Sequence, residues 1–568
     1  MPEHLPPGVV LIAGALLVPL LRGRLQAAYL VLLPVLSLAH MLSLPDGFLG
    51  QARWFDYALT PVRVDRLSVV FGYVFHLAAL VGTVYALYAR DPVHHVAALV
   101  YGGAAIAGVF AGDLLSLFAF WELTAVSSVF LVWARRTPRA YRAGMRYLIF
   151  QVGSGVLLLS GILLHYHHTG SLAFTALGAP GAHPGTAIIF LAFGIKAGFP
   201  LLHVWLTDAY PEATPGGAVV LSAFTTKLAI YALARGFAGA GALVPIGVVM
   251  ALFPLVYAIS EDDLRRLLAY ALIGQQGFMV VGIGIGTALA LNGAVAHAFA
   301  CVLYMALLFM ATGNLIIGAG TAQASRLGSL HRALPYSALF CLVGSASISA
   351  VPLFSGFVTK SLTLQAVAEQ GREWTWLALV LAGIGAFLAV GIKVPYCGFF
   401  SSRDTGILRR EAPGSTRVAM ALTAALCLAL GIAPGWLYDR LPYPVHYQPY
   451  TDSHVLTQLQ LLVFAGIVFA LLVWRRHWLL AERTLSLDVD WLYRRLLPEA
   501  GRWLAQRARP SVGEGGRLVQ AAVDALLAYV HEHHGPRGIF GRTWSTASSV
   551  GIVVGLLAGY LVFYLQSQ

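Results

Sequence analysis

The feature that most constrains this chain is a series of long apolar stretches, which recur from near the N-terminus to the last residues. Stretches of about 20 residues, the length of a helix that crosses a lipid bilayer, fit the sequence roughly sixteen times. Of the 568 residues, 58% are hydrophobic and only 11% are charged, which lies outside the range of soluble domains. A transmembrane barrel would show short alternating strands instead. We therefore predict an all-α polytopic membrane protein with about 14–16 transmembrane helices.

The distribution of arginine between the loops predicts how the helices cross the membrane. Arginine-rich loops, such as residues 135–146, alternate with loops that hold few or no basic residues, such as residues 165–185. Because basic loops stay on the cytoplasmic side, this alternation predicts that the N-terminus is outside. The net charge of +12 has the same explanation and needs no nucleic-acid partner. The predicted location is a bacterial inner (cytoplasmic) membrane.

Composition and loop pattern divide the chain into six segments. Residues 481–545 differ from the rest because their helical patterns mix arginine and acids with Leu, Trp and Val. We expect an amphipathic segment there, lying along the membrane or along a partner. The predicted domains are N-terminal transmembrane helices (1–94), a first inverted repeat (95–240), a second inverted repeat (241–402), C-terminal transmembrane helices (403–480), the amphipathic lateral segment (481–545) and a final transmembrane helix (546–568).

Two pairs of lysines point to an internal repeat. Lys196 and Lys227 have nearly the same spacing as Lys360 and Lys393. The first lysine of each pair lies near a Gly/Pro-rich interruption, in GIKAGFP and in PLFSGFVTK. The pairs fall five predicted spans apart, and an odd offset reverses the direction of a helix across the membrane. The sequence therefore predicts two inverted five-helix repeats that contain discontinuous helices.

Six ionisable side chains lie inside apolar sequence and are the candidate site residues. An ionisable group in a membrane span is costly and marks a functional site by default. Burial lowers the pKa of an ammonium group, a nearby carboxylate raises it, and lysine responds readily to both, so lysines can load and release a proton. Structural ion pairing is the alternative for any single residue, whereas a series on separate spans favours a proton relay. The candidates are Glu122, Lys196, Lys227, His297, Lys360 and Lys393.

The sequence offers no motif for a cofactor or a metal. The four cysteines lie in apolar sequence without a CxxC spacing, and the histidines of HYHH at 165–168 have no acid or cysteine beside them. A phosphate-binding Walker motif, a dinucleotide fingerprint and paired haem histidines are all missing. We expect no cofactor and no metal, and whether the chain is part of an enzyme stays open. It would be a translocase only within a redox complex.

Four motifs resemble the antiporter-like, proton-translocating membrane subunits, a family found in respiratory complex I, membrane-bound hydrogenases and Mrp-type cation/proton antiporters. They are GDLLSLFAFWELTAVSS, FGIKAGFPLLHVWLTDAYPEATP, EDDLRRLLAYALIGQQG and GFVTK, and the similarity covers residues 101–400. Within the family, GIKVPYCGFF and SLDVDWLYRR most resemble the D-type subunits of Mrp-type antiporters.

The resemblance implies a role for each candidate. Glu122 would pair with Lys196 at the broken helix, Lys227 would connect onward, and Lys360 would serve the outward half-channel. His297 and Lys393 would belong to the central polar axis. The chain departs from the family after His297, because Cys301 and Met305 stand where titratable groups are common. Water, Lys393 or other polar side chains would have to complete the link.

The function predicted from these observations is proton translocation within a multisubunit Mrp-type cation (Na⁺)/proton antiporter. One alternative is a proton-pumping subunit of a complex I-like or membrane hydrogenase-like redox complex. The other is a scaffold or import subunit with a partly degenerate channel, which Cys301 and Met305 suggest. In each case the expected partners are other membrane subunits, the lipid bilayer and protons, with Na⁺ as a further candidate ion.

Overall fold

The computed structural model describes residues 5–54, 57–401 and 411–475, and a few later positions (491, 499–503, 521, 524 and 525). Contacts divide the chain into two compact units, Met1–Ser486 and Leu487–Gln568. The first unit holds every helix and strand named below. The predicted final helix (546–568) and almost all of the predicted amphipathic segment (481–545) lie outside the described residues.

The described part of the first unit is helical almost throughout. Twelve of its helical segments are long and apolar enough to cross a membrane, which confirms a polytopic membrane protein. Val9–Leu20, Pro184–Ala197 and Pro335–Ile348 are shorter apolar helices. The helices are α1 (Val9–Ala15), α2 (Gly23–Ser43), α3 (Arg66–Ala86), α4 (Pro92–Val109), α5 (Leu114–Trp133), α6 (Pro138–Thr169), α7 (Pro184–Ala197), α8 (Val204–Ala209), α9 (Pro215–Ala223), α10 (Thr225–Gly236), α11 (Leu243–Ser260), α12 (Leu264–Ile285), α13 (Ala288–Ala319), α14 (Pro335–Ile348), α15 (Ser355–Glu369), α16 (Glu373–Ala386), α17 (Gly414–Ile432), α18 (Gly435–Tyr438) and α19 (Asp452–Arg475).

A small β element between α2 and α3 was not predicted from the sequence. Strand β1 (Gly47–Leu49) pairs antiparallel with β4 (Val62–Val64), and β2 (Ala52–Trp54) pairs antiparallel with β3 (Tyr57–Leu59). Its strands are only three residues long, too short for an alternating pattern to stand out among apolar runs.

Two series of elements follow the same order. Each begins with a helix of 18 residues (α4, α11), continues with a helix of 20 or 22 residues (α5, α12), and then has one of 32 residues (α6, α13). An interrupted helix follows in each (α7 with α8, α14 with α15), and then a helix with an irregular segment. In the first series this is α9 with α10; in the second, α16 continues into π-helical turns at Phe387–Lys393 and Tyr396–Phe400. When α7 with α8, and α9 with α10, are each counted as one element, counterparts are five elements apart, as in inverted repeats with discontinuous helices. The exact domain boundaries stay a prediction.

The two helix interruptions correspond residue for residue. After α7, Gly198 and Leu201 have φ of 78° and 70°, and after α14, Ala350 and Leu353 have φ of 55° and 74°. Positive φ turns the chain out of the helix, and Gly198 adopts it without steric cost. Lys196 comes just before the first interruption, whereas Lys360 follows the second, on α15. The two lysines therefore belong to corresponding interrupted helices but lie on opposite sides of the interruption.

Helix α13 forms the centre of the first unit. Every residue from Ala290 to Leu315 is buried. Small residues let neighbouring helices approach closely, as in membrane helix packing generally. At Gly293 an added Cβ would lie 2.8 Å from the backbone nitrogen of Thr363 on α15. The central helices α12, α13 and α15 are thereby held within side-chain reach of one another.

Candidate functional site

Lys196 lies at the C-terminal end of α7 and is fully buried. Its ammonium donates to the carbonyl of Trp121 at 2.6 Å and to the hydroxyl of Thr124 at 3.2 Å. The same nitrogen lies 4.4 Å from the centre of the Trp121 ring. The indole of Trp205, beyond the interruption, donates to the carbonyl of Ile195 at 2.9 Å and closes the end of α7. The lysine is thus surrounded by neutral groups that stabilise a cation.

Glu122 lies beside this lysine on α5 without forming the direct pair that the resemblance implies. Its carboxylate is half-buried and lies against Gly155 of α6, where an added Cβ would overlap it. Among the described residues, Glu122 Oε1 has no hydrogen-bond partner. The two charges still interact through space. Lys196 is held instead by Trp121 and Thr124, which flank Glu122 in the sequence.

Lys227 begins the second half of the interrupted helix α9–α10 and is fully buried. The backbone departs from α-helical geometry at Phe224 (φ −102°, ψ −68°), which leaves carbonyl groups of α9 free to bind other donors. The Lys227 ammonium donates to one of them, the carbonyl of Ser222, at 3.2 Å. It also interacts with the thiol of Cys301 on α13.

Buried amides lie close to the helix interruption that carries Lys196. Gln276 of α12 faces it, since a Cβ added at Gly198 would lie 3.7 Å from Gln276 Oε1. In the described part of the chain, neither amide atom of Gln276 has a hydrogen-bond partner, and the same holds for Gln151 of α6. The hydroxyl of Thr226, next to Lys227, is also unpartnered there. Buried polar atoms of this kind are the groups that internal water satisfies.

His297 occupies the middle of α13 and touches polar groups on both sides. Its Nδ1 lies 3.2 Å from the hydroxyl of Thr359 on α15. Its Nε2 lies 3.4 Å from the hydroxyl of Tyr304, which donates to Gln275 Oε1 at 3.2 Å. Both the Lys227 and the Lys360 charges act on the ring. His297 is therefore near enough to both lysines to feel their charges.

Lys360 has a setting similar to that of Lys196. Its ammonium donates to the carbonyl of Ile348 at 2.6 Å and lies 5.1 Å from the centre of the Phe278 ring. It lines a cavity of about 40 Å³, large enough for a water molecule, together with Ser361 and His454. His454 also lines a larger polar cavity of about 820 Å³ at the end of α15. His454 lines both cavities, so Lys360 lies close to the larger cavity at the end of α15.

Lys393 is not brought together with the other five candidates. Its ammonium donates to the carbonyls of Ile259 and Glu261, at 2.6 and 2.8 Å. These carbonyls end α11, where an ammonium group satisfies free acceptors and complements the helix dipole. The geometry gives Lys393 a helix-capping contact, and its membership of the central axis stays a prediction.

The histidines at 165–168 meet another histidine that the sequence did not place beside them. His165 Nδ1 lies 3.1 Å from Nε2 of His183, which precedes α7, and His165 is buried. His167 and His168 are exposed. Within the residues that the structure describes, no group of three or more His, Cys, Asp or Glu is arranged to hold a metal ion.

The chain resembles known membrane proteins over much of its length. The family model for the transmembrane part of the NADH:quinone oxidoreductase/Mrp antiporter proteins matches residues 111–385. NAD(P)H-quinone oxidoreductase chain 4 1 of Synechococcus sp. (strain JA-3-3Ab) is 30% identical over 370 residues, which cover 60% of this chain and 69% of the relative. The chain belongs to this family. All six candidates except Lys393 lie inside the matched residues.

Two further relatives have a similar sequence identity to this chain. Hydrogenase-4 component B of Escherichia coli (strain K12) is 29% identical over 447 residues, covering 69% of this chain and 65% of the relative. The D-type subunit of the Na(+)/H(+) antiporter of Alkalihalophilus pseudofirmus is 28% identical over 350 residues, covering 58% and 71%.

A solved Mrp complex from Dietzia sp. DQ12-45-1b contains a chain that superposes with a TM-score of 0.74 at 25% identity. The superposition covers 92% of this chain and 62% of the solved one. The chain thus spans slightly under two thirds of this solved chain and of the hydrogenase component.

Proposed function

We propose that this chain is the proton-translocating subunit of a multisubunit Mrp-type cation (Na⁺)/proton antiporter in a bacterial inner membrane, with its N-terminus outside. The observation that carries the proposal is the buried series Lys196, Lys227, His297 and Lys360, whose members contact neutral polar groups. Charges of this kind are too costly to retain in a membrane core without a task. The likeness to the Mrp complex and to the Na(+)/H(+) antiporter relative supports the same assignment.

In this proposal protons enter from the cytoplasm near α7–α10. The proposed entrance is bordered by two ion pairs. Arg146 holds Asp208 through two contacts, at 2.6 and 2.9 Å, and Arg135 lies 3.5 Å from Glu212. Protons then pass Lys196, Lys227 and His297 and leave past Lys360 through the polar cavity at the end of α15.

Glu122 supplies the proposed electrostatic coupling. Charges that interact in a poorly solvated interior act on each other more strongly than in water. Movement of the Glu122 carboxylate toward Lys196 strengthens the hold of the ammonium on its proton, and movement away weakens it. Among the described residues no protein group forms a hydrogen bond with Glu122 Oε1, so its movement breaks no bond between protein groups at that atom.

A second candidate is a proton-pumping subunit of a redox complex whose partner subunits supply the electrons. It is favoured by the length of the match to hydrogenase-4 component B, 447 residues, against 350 for the Na(+)/H(+) antiporter relative. The subunit composition of the purified complex separates the two. Small antiporter subunits support the first candidate, and quinone-reductase or hydrogenase subunits support the second.

The proposal is tested by proton flux in membrane vesicles that contain the intact complex. We expect Lys196→Ala to abolish flux and Glu122→Ala to reduce it strongly, while the exposed cation variant Arg139→Ala leaves it unchanged. Equal amounts of assembled complex must be confirmed for each variant. Flux that survives both substitutions would overturn the proposal. Flux that survives removal of every lysine of the axis would favour the scaffold alternative.

A further inference from the structure

A tyrosine that the sequence did not mark as a candidate, Tyr304, lies close in space to His297. Tyr304 is fully buried on α13, two turns after His297. Cys301 lies on the same helix between His297 and Tyr304, and its thiol interacts with the Lys227 ammonium and with the Tyr304 hydroxyl. The Tyr304 hydroxyl in turn lies 3.4 Å from His297 Nε2. Lys227, Cys301, Tyr304 and His297 are thus neighbours in the order in which a proton would pass them.

The hydrogen bonds around His297 determine which of its nitrogens can take up a proton. The Thr359 hydroxyl donates to the carbonyl of Ser355 at 3.1 Å, so toward His297 it acts as an acceptor. Nδ1 of the neutral ring therefore carries the hydrogen that points at Thr359. Nε2 is then an unprotonated acceptor, and it faces the Tyr304 hydroxyl.

Gln275 offers the Tyr304 hydroxyl a second acceptor. The hydroxyl donates to Gln275 Oε1 at 3.2 Å, close to its distance from His297 Nε2. A hydroxyl hydrogen rotates easily about the C–O bond, so Tyr304 can donate to either neighbour. An amide oxygen accepts a hydrogen bond without taking the proton, and it therefore holds the hydroxyl between transfers.

We propose that Tyr304 is a proton-relay residue that joins Lys227 to His297 through Cys301, and that it completes the link which the departure from the family at Cys301 and Met305 leaves open. This inference rests on the proposed proton-translocating function. The Tyr304 hydroxyl gives its proton to His297 Nε2 and takes one from the Cys301 thiol, which takes one from the Lys227 ammonium. One N–H bond of Lys227 breaks and one N–H bond of His297 forms. Cys301 and Tyr304 end the step as they began it.

The test compares two tyrosines that both bond to polar groups at α13. Tyr304→Phe removes the relay hydroxyl and keeps the ring. Tyr85→Phe removes a buried hydroxyl that donates to the Met310 carbonyl at 3.1 Å and to Asn314 at 3.0 Å, away from the lysines. Proton flux is measured in vesicles with equal amounts of assembled complex, with Lys196→Ala as the reference for a blocked axis.

We expect Tyr304→Phe to lower proton flux by about tenfold or more, because a lost proton-transfer group typically costs at least that much. Tyr85→Phe keeps the rate of the unmodified chain. Tyr304→His, which can also accept and donate a proton, retains flux, and Cys301→His restores flux to the Tyr304→Phe variant. Should Tyr304→Phe fail to assemble, Tyr304→His against Tyr304→Leu gives the same comparison.

The possible outcomes separate the relay from the function it serves. Full flux with Tyr304→Phe, when Lys196→Ala abolishes flux, overturns the relay and leaves the proposed function standing. Full flux with Tyr304→Phe and also with Lys196→Ala overturns the proposed function. Equal losses with Tyr304→Phe and Tyr85→Phe, without rescue by Cys301→His, show that Tyr304 is structural and also overturn the relay.

Discussion

Lys196 and Lys360 are held by the same two kinds of neutral group. Each ammonium donates to one backbone carbonyl at 2.6 Å, Trp121 in the first case and Ile348 in the second. Each also faces an aromatic ring, at 4.4 and 5.1 Å from its centre. A backbone carbonyl and an aromatic ring stabilise the ammonium group. Because both are neutral, they hold the charged form less strongly than a bound carboxylate would, and the ammonium can still lose a proton.

Replacing Lys196 with arginine separates charge from proton transfer. Arginine keeps the positive charge but does not release its proton in proteins. We therefore expect Lys196→Arg to lose as much proton flux in vesicles as Lys196→Ala, while the amount of assembled complex stays closer to that of the unmodified chain. Flux retained by Lys196→Arg would mean that charge alone is required there.

Asp65, just before α3, makes an ion pair whose pH dependence can be measured. Burial opposes its ionisation, but two hydrogen bonds from Arg235 and the nearby Arg63 charge lower the pKa of Asp65 from 3.8 to about 2. A depressed pKa means that this stabilisation is complete above pH 3.8 and is lost as the pH falls toward 2. At neutral pH we expect Asp65→Asn to destabilise the chain by on the order of 3 kcal/mol, since Arg235 is left buried without its partner.

Thermal unfolding of the purified protein tests this expectation. The melting temperatures of the unmodified chain and of Asp65→Asn should differ at neutral pH and converge in strong acid. A constant difference across the acidic range would show that Asp65 does not act through its charge.

At the scale of single residues, the sequence revealed charged groups better than neutral ones. Lys196 stood out because a cation beside Gly198 is rare in an apolar run. Tyr304 and Gln275 did not, because tyrosine and glutamine occur in buried helices for many reasons. The spacing of Lys393 did not show that its ammonium donates to the end of α11, and whether Lys393 also belongs to the axis stays a prediction.

At the scale of elements, the packing of α5 against α6 positions Glu122. Gly155 leaves the space in which the carboxylate lies, and an added Cβ would displace this flexible end of the side chain. We expect Gly155→Ala to preserve the fold and to reduce proton flux toward the level of Glu122→Ala. Gly153→Ala on the same helix is the matched control, because nothing lies within 4 Å of its added Cβ. Equal flux in the two glycine variants would show that the position of Glu122 is unimportant.

The interrupted helices could be predicted more fully than the irregular ones. Glycine and proline in GIKAGFP and PLFSGFVTK indicated both breaks, and the structure has them after Ala197 and Ile348. The π-helical turns at Phe387–Lys393 carry no comparable signal, because they depend on packing with neighbouring helices. The correspondence between Gly198–Leu201 and Ala350–Leu353 became visible only in the backbone angles.

At the scale of the whole molecule, the orientation in the membrane can be tested with single cysteines. The four native cysteines are buried and give little background to a membrane-impermeant thiol reagent. Exposed positions at opposite ends of α6 suit the experiment. We expect His168→Cys to be labelled in intact cells and Arg139→Cys only after the membrane is opened. The reverse pattern would contradict the proposed topology with the N-terminus outside.

The central claim concerns the whole chain, namely that a buried polar axis from Lys196 to Lys360 carries protons across the first unit. The most direct measurement is the initial rate of proton flux in vesicles for Lys227→Ala and Arg139→Ala, at matched amounts of assembled complex. Lys227 is buried and belongs to the proposed axis, whereas Arg139 is exposed at the start of α6. The account predicts that Lys227→Ala abolishes flux and Arg139→Ala retains it. Flux that persists in Lys227→Ala would contradict it.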